Sequence, residues 1–402
     1  MKKMIALLLA AALCLGLCAC GSTTKRMSRE ERACAKILEL LEEGDYEGAH
    51  AVIDDLEGKD DRDADATEEP AAETIPATEP AVEEMPVEPE MQPEETEAPQ
   101  TLFYIYSPED LFAMSDSPEH TYILANDIDL QGQAVTVERF RGVLEGNGYA
   151  VYNAAAPLIR KNEGTVQGLA VLDCDIRMAE DVGAIAVENK GSIIGCVVSG
   201  IVDSTAENAF AGGVVCWNKG IVEGCLNAAD VTANSYALND LGNVIHGTWA
   251  NAGGICARNS GNISRSYNTG TIHAEGSDYI SASGGIVAGN TDGEVTNCFN
   301  TGTITTDQAD CGGICGFNDR GRFTDCYNIG SSVSGIVGDN RDYIIDCYYL
   351  DSVSQNGSGA GLNREGERIH VFSQEQLSMQ ETFATFDFET VWTMTNEGPK
   401  LR

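Results

Sequence analysis

Asparagine recurs at positions 162, 189, 218, 259, 290, 318 and 340, in steps of 27, 29, 41, 31, 28 and 22 residues, and its neighbours recur with it. Ahead of it stands a glycine pair or the remnant of one: Gly183-Ala184, Gly212-Gly213, Gly253-Gly254, Gly284-Gly285, Gly312-Gly313, Ser334-Gly335. After most of the asparagines come another glycine, then an apolar residue, then, three positions on, Cys196, Cys225, Ser266, Cys298, Cys326 or Cys347. A β-branched residue follows six places later in four repeats, at Val202, Val231, Ile272 and Ile304. A unit this short cannot enclose a core of its own, so the period decides the architecture: successive units must stack and share one.

Each unit holds three short apolar segments rich in Ile, Val and Thr and bounded by Gly and Asn, which read as strands. Stacked in a coil, each strand pairs in parallel with its counterpart one turn away, about 4.8 Å along the axis. The expected fold is all-β, a right-handed parallel β-helix (solenoid) of roughly eight or nine coils over residues 101–402. The recurrent Asn suits a left-handed backbone position, with its amide bonded to the Asn of the next coil. The glycines serve either positive φ or close backbone approach.

Gly284-Gly285-Ile286-Val287-Ala288-Gly289-Asn290, followed by Asn297-Cys298-Phe299-Asn300-Thr301-Gly302-Thr303-Ile304, resembles the GLUG motif of bacterial surface proteins. The flanks resemble the same family. Tyr122-Ile123-Leu124-Ala125-Asn126-Asp127-Ile128-Asp129-Leu130 and Phe140-Arg141-Gly142-Val143-Leu144-Glu145-Gly146-Asn147-Gly148-Tyr149 look like its opening coils, and Phe386-Asp387-Phe388-Glu389-Thr390-Val391-Trp392 like its ending. The resemblance implies extracytoplasmic display, often adhesion, with some members attached to proteolytic modules. The repeat beginning at Ser334 is truncated, and Ser266 interrupts the cysteine column.

The first hundred residues are a different polymer. Residues 1–19, with Lys2 and Lys3 before the apolar run Ile5 to Leu17, have the layout of a secretory signal peptide. Leu17-Cys18-Ala19-Cys20-Gly21 resembles a bacterial lipobox, which makes Cys20 the expected lipidation site and a membrane the expected partner through that anchor. Residues 20–57 carry apolar positions at helical spacing around Glu43-Gly44-Asp45-Tyr46 and read as a small helical hairpin. Residues 58–100 read as a disordered Pro/Glu-rich stalk, because between Asp54 and Glu97 18 acidic residues face only Lys59 and Arg62. The whole chain carries 63 Asp and Glu against 25 Lys and Arg, a net charge of -38, which excludes a nucleic-acid partner on electrostatic grounds.

Cysteines at one station in successive coils should point inward as small buried hydrophobes, though adjacent coils put some pairs within disulfide reach. No metal is expected: there is no C-x-x-C pair, and Cys311 and Cys315 lack a histidine companion. No cofactor is expected either. Among His50, His120, His246, His273 and His370 none belongs to H-E-x-x-H, and neither a G-x-S-x-G elbow nor a phosphate loop occurs. The carboxylate pairs Asp127/Asp129 and Asp173/Asp175 are weak enzyme signals, the first better read as part of an opening coil. No catalytic residue is assigned.

Binding should fall on insertions carried by the rigid coil. The longest step holds Asn234 to Asn251, with Tyr236, Asp240, His246 and Trp249, and the next coil adds His273 to Ser283 with Tyr279. These five residues form the candidate ligand lip; the alternative is a local cover that packs Trp249 on the coil. A second candidate surface is the column Tyr267, Phe299, Tyr327 and Tyr348. The expected function is a lipid-anchored, surface-exposed, non-catalytic display or adhesion module for a glycan or a host or bacterial surface protein. The alternative is a carbohydrate-active β-helix enzyme, a polysaccharide lyase or glycosidase. Ser107 to Met114 and Ser373 to Arg402 are the expected end caps of the coil.

Overall fold

The computed structural model describes residues 101–238, 244–246, 249–276, 281–307, 310–360 and 368–402. Cys20, the helical hairpin and the acidic stalk lie outside the described residues. The described chain is a parallel β-helix. Its strands stack into a 10-stranded, an 8-stranded, a 5-stranded and a 14-stranded sheet, with a two-stranded hairpin near the C-terminus. One coil shows the path: Asn208–Gly212 lies in the 5-stranded sheet, Val215–Asn218 in the 8-stranded sheet, and Ile221–Glu223 in the 10-stranded sheet. Leu226–Asn227 and Asp230–Leu238 follow in the 14-stranded sheet. The sequence predicts three strands per unit. The strand before the glycine pair was missed because its inward residues are alanines, Ala209 and Ala211 in one coil and Ala250 and Ala252 in the next.

Equivalent positions lie over one another. Ile193 pairs in register with Val222, Val222 with Ile263, Ile263 with Val295 and Val295 with Phe323. All five are fully buried in one core that runs the length of the coil. The seven asparagines form a buried ladder in which each Nδ2 donates to the Oδ1 of the next, at 2.8 Å from Asn162 to Asn189 and 2.8 Å from Asn218 to Asn259. None of the seven is in the left-handed region. That role falls to the residue before the cysteine station: Gly195, Gly224, Arg265, Asn297, Asp325 and Asp346. The ladder asparagines instead stand last or next to last in their strands, and amides such as those of Asn218, Asn259 and Asn290 also turn back on the glycine two or three residues on. A second ladder, Asn227, Asn268, Asn300 and Asn328, escaped the sequence reading although it stands two residues after every cysteine station in that run.

The glycine pairs serve close approach. A Cβ on Gly253 would stand 1.9 Å from the carbonyl oxygen of Cys256, and one on Gly284 2.0 Å from that of Val287. These contacts fix a tight corner between the 5-stranded and 8-stranded sheets, on whose outer side a cleft forms. The ten cysteines beyond residue 101 are buried and free of disulfides.

The two expected caps behave differently. Pro108–Ala113 is a short helix, α1, whose N-terminal Ser107 side chain accepts from the Asp110 amide; Leu111 and Met114 insert into the core. At the other end, Ile369–Phe372 adds one more strand beside Cys347–Leu350. Residues 373–402 then pack along the side of the coil rather than across its end. Phe383, Phe386 and Trp392 cover the column of Phe299, Tyr327 and Tyr348, Trp392 Nε1 donates to Asn297 Oδ1 at 3.1 Å, and the Tyr327 hydroxyl donates to the Pro399 carbonyl. The apolar column exposes too much surface to be left in water, and the chain's own end shields it.

Candidate functional site

At the glycine corner, outward residues of two sheets face one another. Phe210, Cys216 and Ala257 form a small apolar cluster separate from the main core, with Val187 and Trp217 packed on it. The Phe210 and Trp217 ring centroids are 5.0 Å apart, and Trp249 meets Phe210 edge-on at 6.4 Å. Trp249 starts its strand in register with Asn208 and keeps 37% of its surface exposed. Trp217 is in register with Arg258, and Arg258 with Gly289. The missing side chain at Gly289 makes room for the guanidinium: a Cβ there would lie 2.6 Å from Arg258 Nη1. Arg258 Cζ is 5.7 Å from the Phe210 ring centroid and 5.8 Å from that of Trp249.

These groups bound a cleft of 280 Å³ lined by Trp217, Asn218, Lys219, Trp249, Arg258, Asn259, Ser260 and Thr291. Its exposed wall is mostly apolar, with hydroxyls from Ser260 and Thr291 at the rim. The nearby acidic groups are occupied: Glu188 Oε1 is 2.9 Å from Lys219 Nζ, and Asp181 Oδ2 accepts from Trp217 Nε1 at 2.9 Å. Burial pushes the Asp181 carboxyl above its ordinary range.

Of the five residues expected to form a lip, Trp249 lines this cleft. Tyr236 is exposed on a long strand, where its backbone pairs antiparallel with that of His246. The side chain of His246, and Asp240 and Tyr279 entirely, lie outside the described residues. The sequence reading missed Trp217 and Arg258 because they belong to the coil, not to the insertion. Their only signal was the shared offset from the ladder asparagines Asn218 and Asn259.

The column Tyr267, Phe299, Tyr327 and Tyr348 is a stacked ladder, with ring centroids 4.6 Å and 5.0 Å apart over its first two steps. Because residues 373–402 lie over Phe299, Tyr327 and Tyr348, it is a packing element rather than a free surface. Asp127 accepts from the Ala150 amide and Asp129 from Asn153 Nδ2, both at structural turns; Asp175 is 2.6 Å from Arg177 Nε.

Two further groups assemble only across coils. Asp310 and Asp339 come from the two sheets of the same corner, and burial, with Asp339 adding to it, pushes the Asp310 carboxyl up to about 7. His273, Glu275 and Asp307 bring donor atoms within 4.8 Å of one another, and His273 Nδ1 is 2.9 Å from Thr305 Oγ1. Among the described residues this trio is the group able to hold a cation. Its donors come from two different coils, His273 and Glu275 from one and Asp307 from the next, so local spacing in the sequence does not show them together.

The described chain is thus a parallel β-helix bearing an aromatic and cationic cleft on one corner. Residues 280–305 match the family model of the GLUG motif, so the chain contains that motif. No curated protein matches the sequence. Among solved structures the chain is similar to one titled "IgA1 Protease", at 17% identity and a TM-score of 0.45, over 67% of this chain and 21% of that one. The chain thus spans about a fifth of the length of that protein.

Proposed function

We propose that the β-helix is the ligand-binding part of a lipid-anchored bacterial surface protein and holds a glycan in the Trp217–Trp249 cleft without chemically altering it. The observation that carries this reading is the pairing of two indoles around a 280 Å³ opening on an otherwise regular coil. Sugar rings present apolar C–H faces that pack on indoles, while their hydroxyls find partners at a polar rim. A coil corner fixed by glycines holds such a site rigidly, so little ordering entropy is lost on binding. The lipobox-like Cys20 and the acidic stalk support an extracytoplasmic position in which a glycan would be met.

The test is a glycan array probed with the purified protein and with Trp249→Ala. Binding by the parent that drops at least tenfold in the variant supports the cleft. Binding unaffected by the substitution places the ligand elsewhere, and a blank array removes the glycan reading.

A carbohydrate-active enzyme is the second reading, and one observation favours it: a carboxyl held up to about 7, as that of Asp310 is, suits a general acid near neutral pH. A polysaccharide degradation screen decides between them. Activity abolished by Asp310→Asn would replace the non-catalytic reading.

A further inference from the structure

Arg258 is a half-buried guanidinium that makes no ion pair and donates no hydrogen bond among the described residues. Other arginines of this chain behave differently: Arg341 is 3.1 Å from Asp339, Arg160 3.1 Å from Glu180 and Arg368 2.7 Å from Asp346. On a chain of net charge -38 carboxylates are plentiful, yet among the described residues none pairs with Arg258. Its position between Phe210 and Trp249 supplies ring faces but no acceptor. The thiols of Cys315, Cys216 and Cys256 that act on it are neutral, because burial pushes all three well above the ordinary thiol range. Burial also draws the pKa of Arg258 itself downward, the mark of a cation that has lost water without gaining a counter-ion.

A second polar group in the same corner is likewise unpaired. Asn251 stands in register with Phe210 on the outer face of its strand, is wholly buried, and has neither amide atom hydrogen-bonded. Buried donors without acceptors are costly, and of these two groups Arg258 lines the open cleft, where an incoming acceptor can reach it.

We propose that the cleft selects a glycan carrying a carboxylate, a uronate or sialate residue, with Arg258 as the anion-binding group. The inference rests on the reading of the cleft as a sugar site and adds the ligand's charge. A carboxylate matches the two-pronged donor geometry of a guanidinium, and the desolvated setting strengthens the pair over one in water. The indoles pack on the ring of the same residue. Glycine at 289 is what lets the guanidinium extend across to the next coil and face the opening.

The experiment is calorimetric titration of the full chain with trigalacturonate and its methyl ester, and with sialyllactose and lactose. The expected result is binding of one acid at least tenfold tighter than its neutral counterpart, the pair that responds identifying the source of the carboxylate. Arg258→Gln should remove the preference, and Arg258→Lys should restore it only in part. The comparison of acid with neutral ligand on the unaltered protein does not depend on either variant folding. Equal binding of acid and neutral forms that is lost in Trp249→Ala overturns the charge selection and leaves the sugar cleft standing. No binding of any of the four sugars overturns both.

Discussion

Asn259 carries more of the fold than its surface residues do, because it sits inside a ladder whose members have no water to fall back on. Its Oδ1 accepts from Asn218 and its Nδ2 donates to Asn290, both at 2.8 Å. Asn259→Ala leaves Asn218 Nδ2 only its longer bonds to the Gly220 and Asn262 carbonyls, both at 3.3 Å, and leaves the buried Asn290 Oδ1 without its ladder donor, an orphaned acceptor costing about 1–3 kcal/mol. Asn162→Ala, at one end of the ladder, leaves only the Asn189 acceptor without its ladder partner and should cost less. Urea unfolding of the two variants measures the difference, and equal losses would contradict the ladder's role.

Asp310 supplies a pH prediction at the same scale. The charges facing it are Asp339, which raises its pKa, and Arg341, which lowers it. An unfolded Asp310 ionises near its ordinary value of 3.8, whereas the folded one holds its proton up to about 7. The native state therefore binds the proton more tightly across that window, so stability falls as pH rises from 4 to 7 and the full penalty is present above it. Thermal melts of Asp310→Asn between those limits should show a shallower decline than the parent; an unchanged slope would assign the titration elsewhere.

At the scale of elements, the C-terminal segment was expected to close the end of the coil and instead lies along its side. Composition could not separate these outcomes, because both require an apolar segment. Phe383 and Trp392 are fully buried against Phe299, Tyr327 and Tyr348, whose stacked rings would otherwise face water. Removal of residues 373–402 leaves the coil's hydrogen-bonded ladders intact but uncovers that column. The expected outcome is retained β-sheet circular dichroism, strong binding of a hydrophobic dye, and association seen by light scattering. A truncated protein that stays monomeric and dye-free would show that the column does not need its cover. The glycine corner is the opposite case, legible in the sequence because at Gly253 and Gly284 any side chain would collide with backbone less than a residue's width away.

For the whole molecule, the anchor is a proposal with a direct test: Cys20→Ala should move the protein from the membrane fraction into the medium, and continued membrane retention would remove lipid attachment. The repeat in the sequence determined the parallel winding, the aligned asparagines and the inward cysteines, because a period of fixed composition has one economical solution, the stacking of like on like. It also exposed Trp249 as an interruption of that period. What it could not determine was which side chains meet across a corner. Trp217, Arg258 and Gly289 share a column, Phe210 and Trp249 come from the neighbouring sheet, and their meeting depends on the angle at which two sheets join. That angle is set by glycines, which specify that the chain turns tightly but carry no side chain to say what the turn brings together. Proximity between coils is a property of the wound object, and only the tertiary structure decided it.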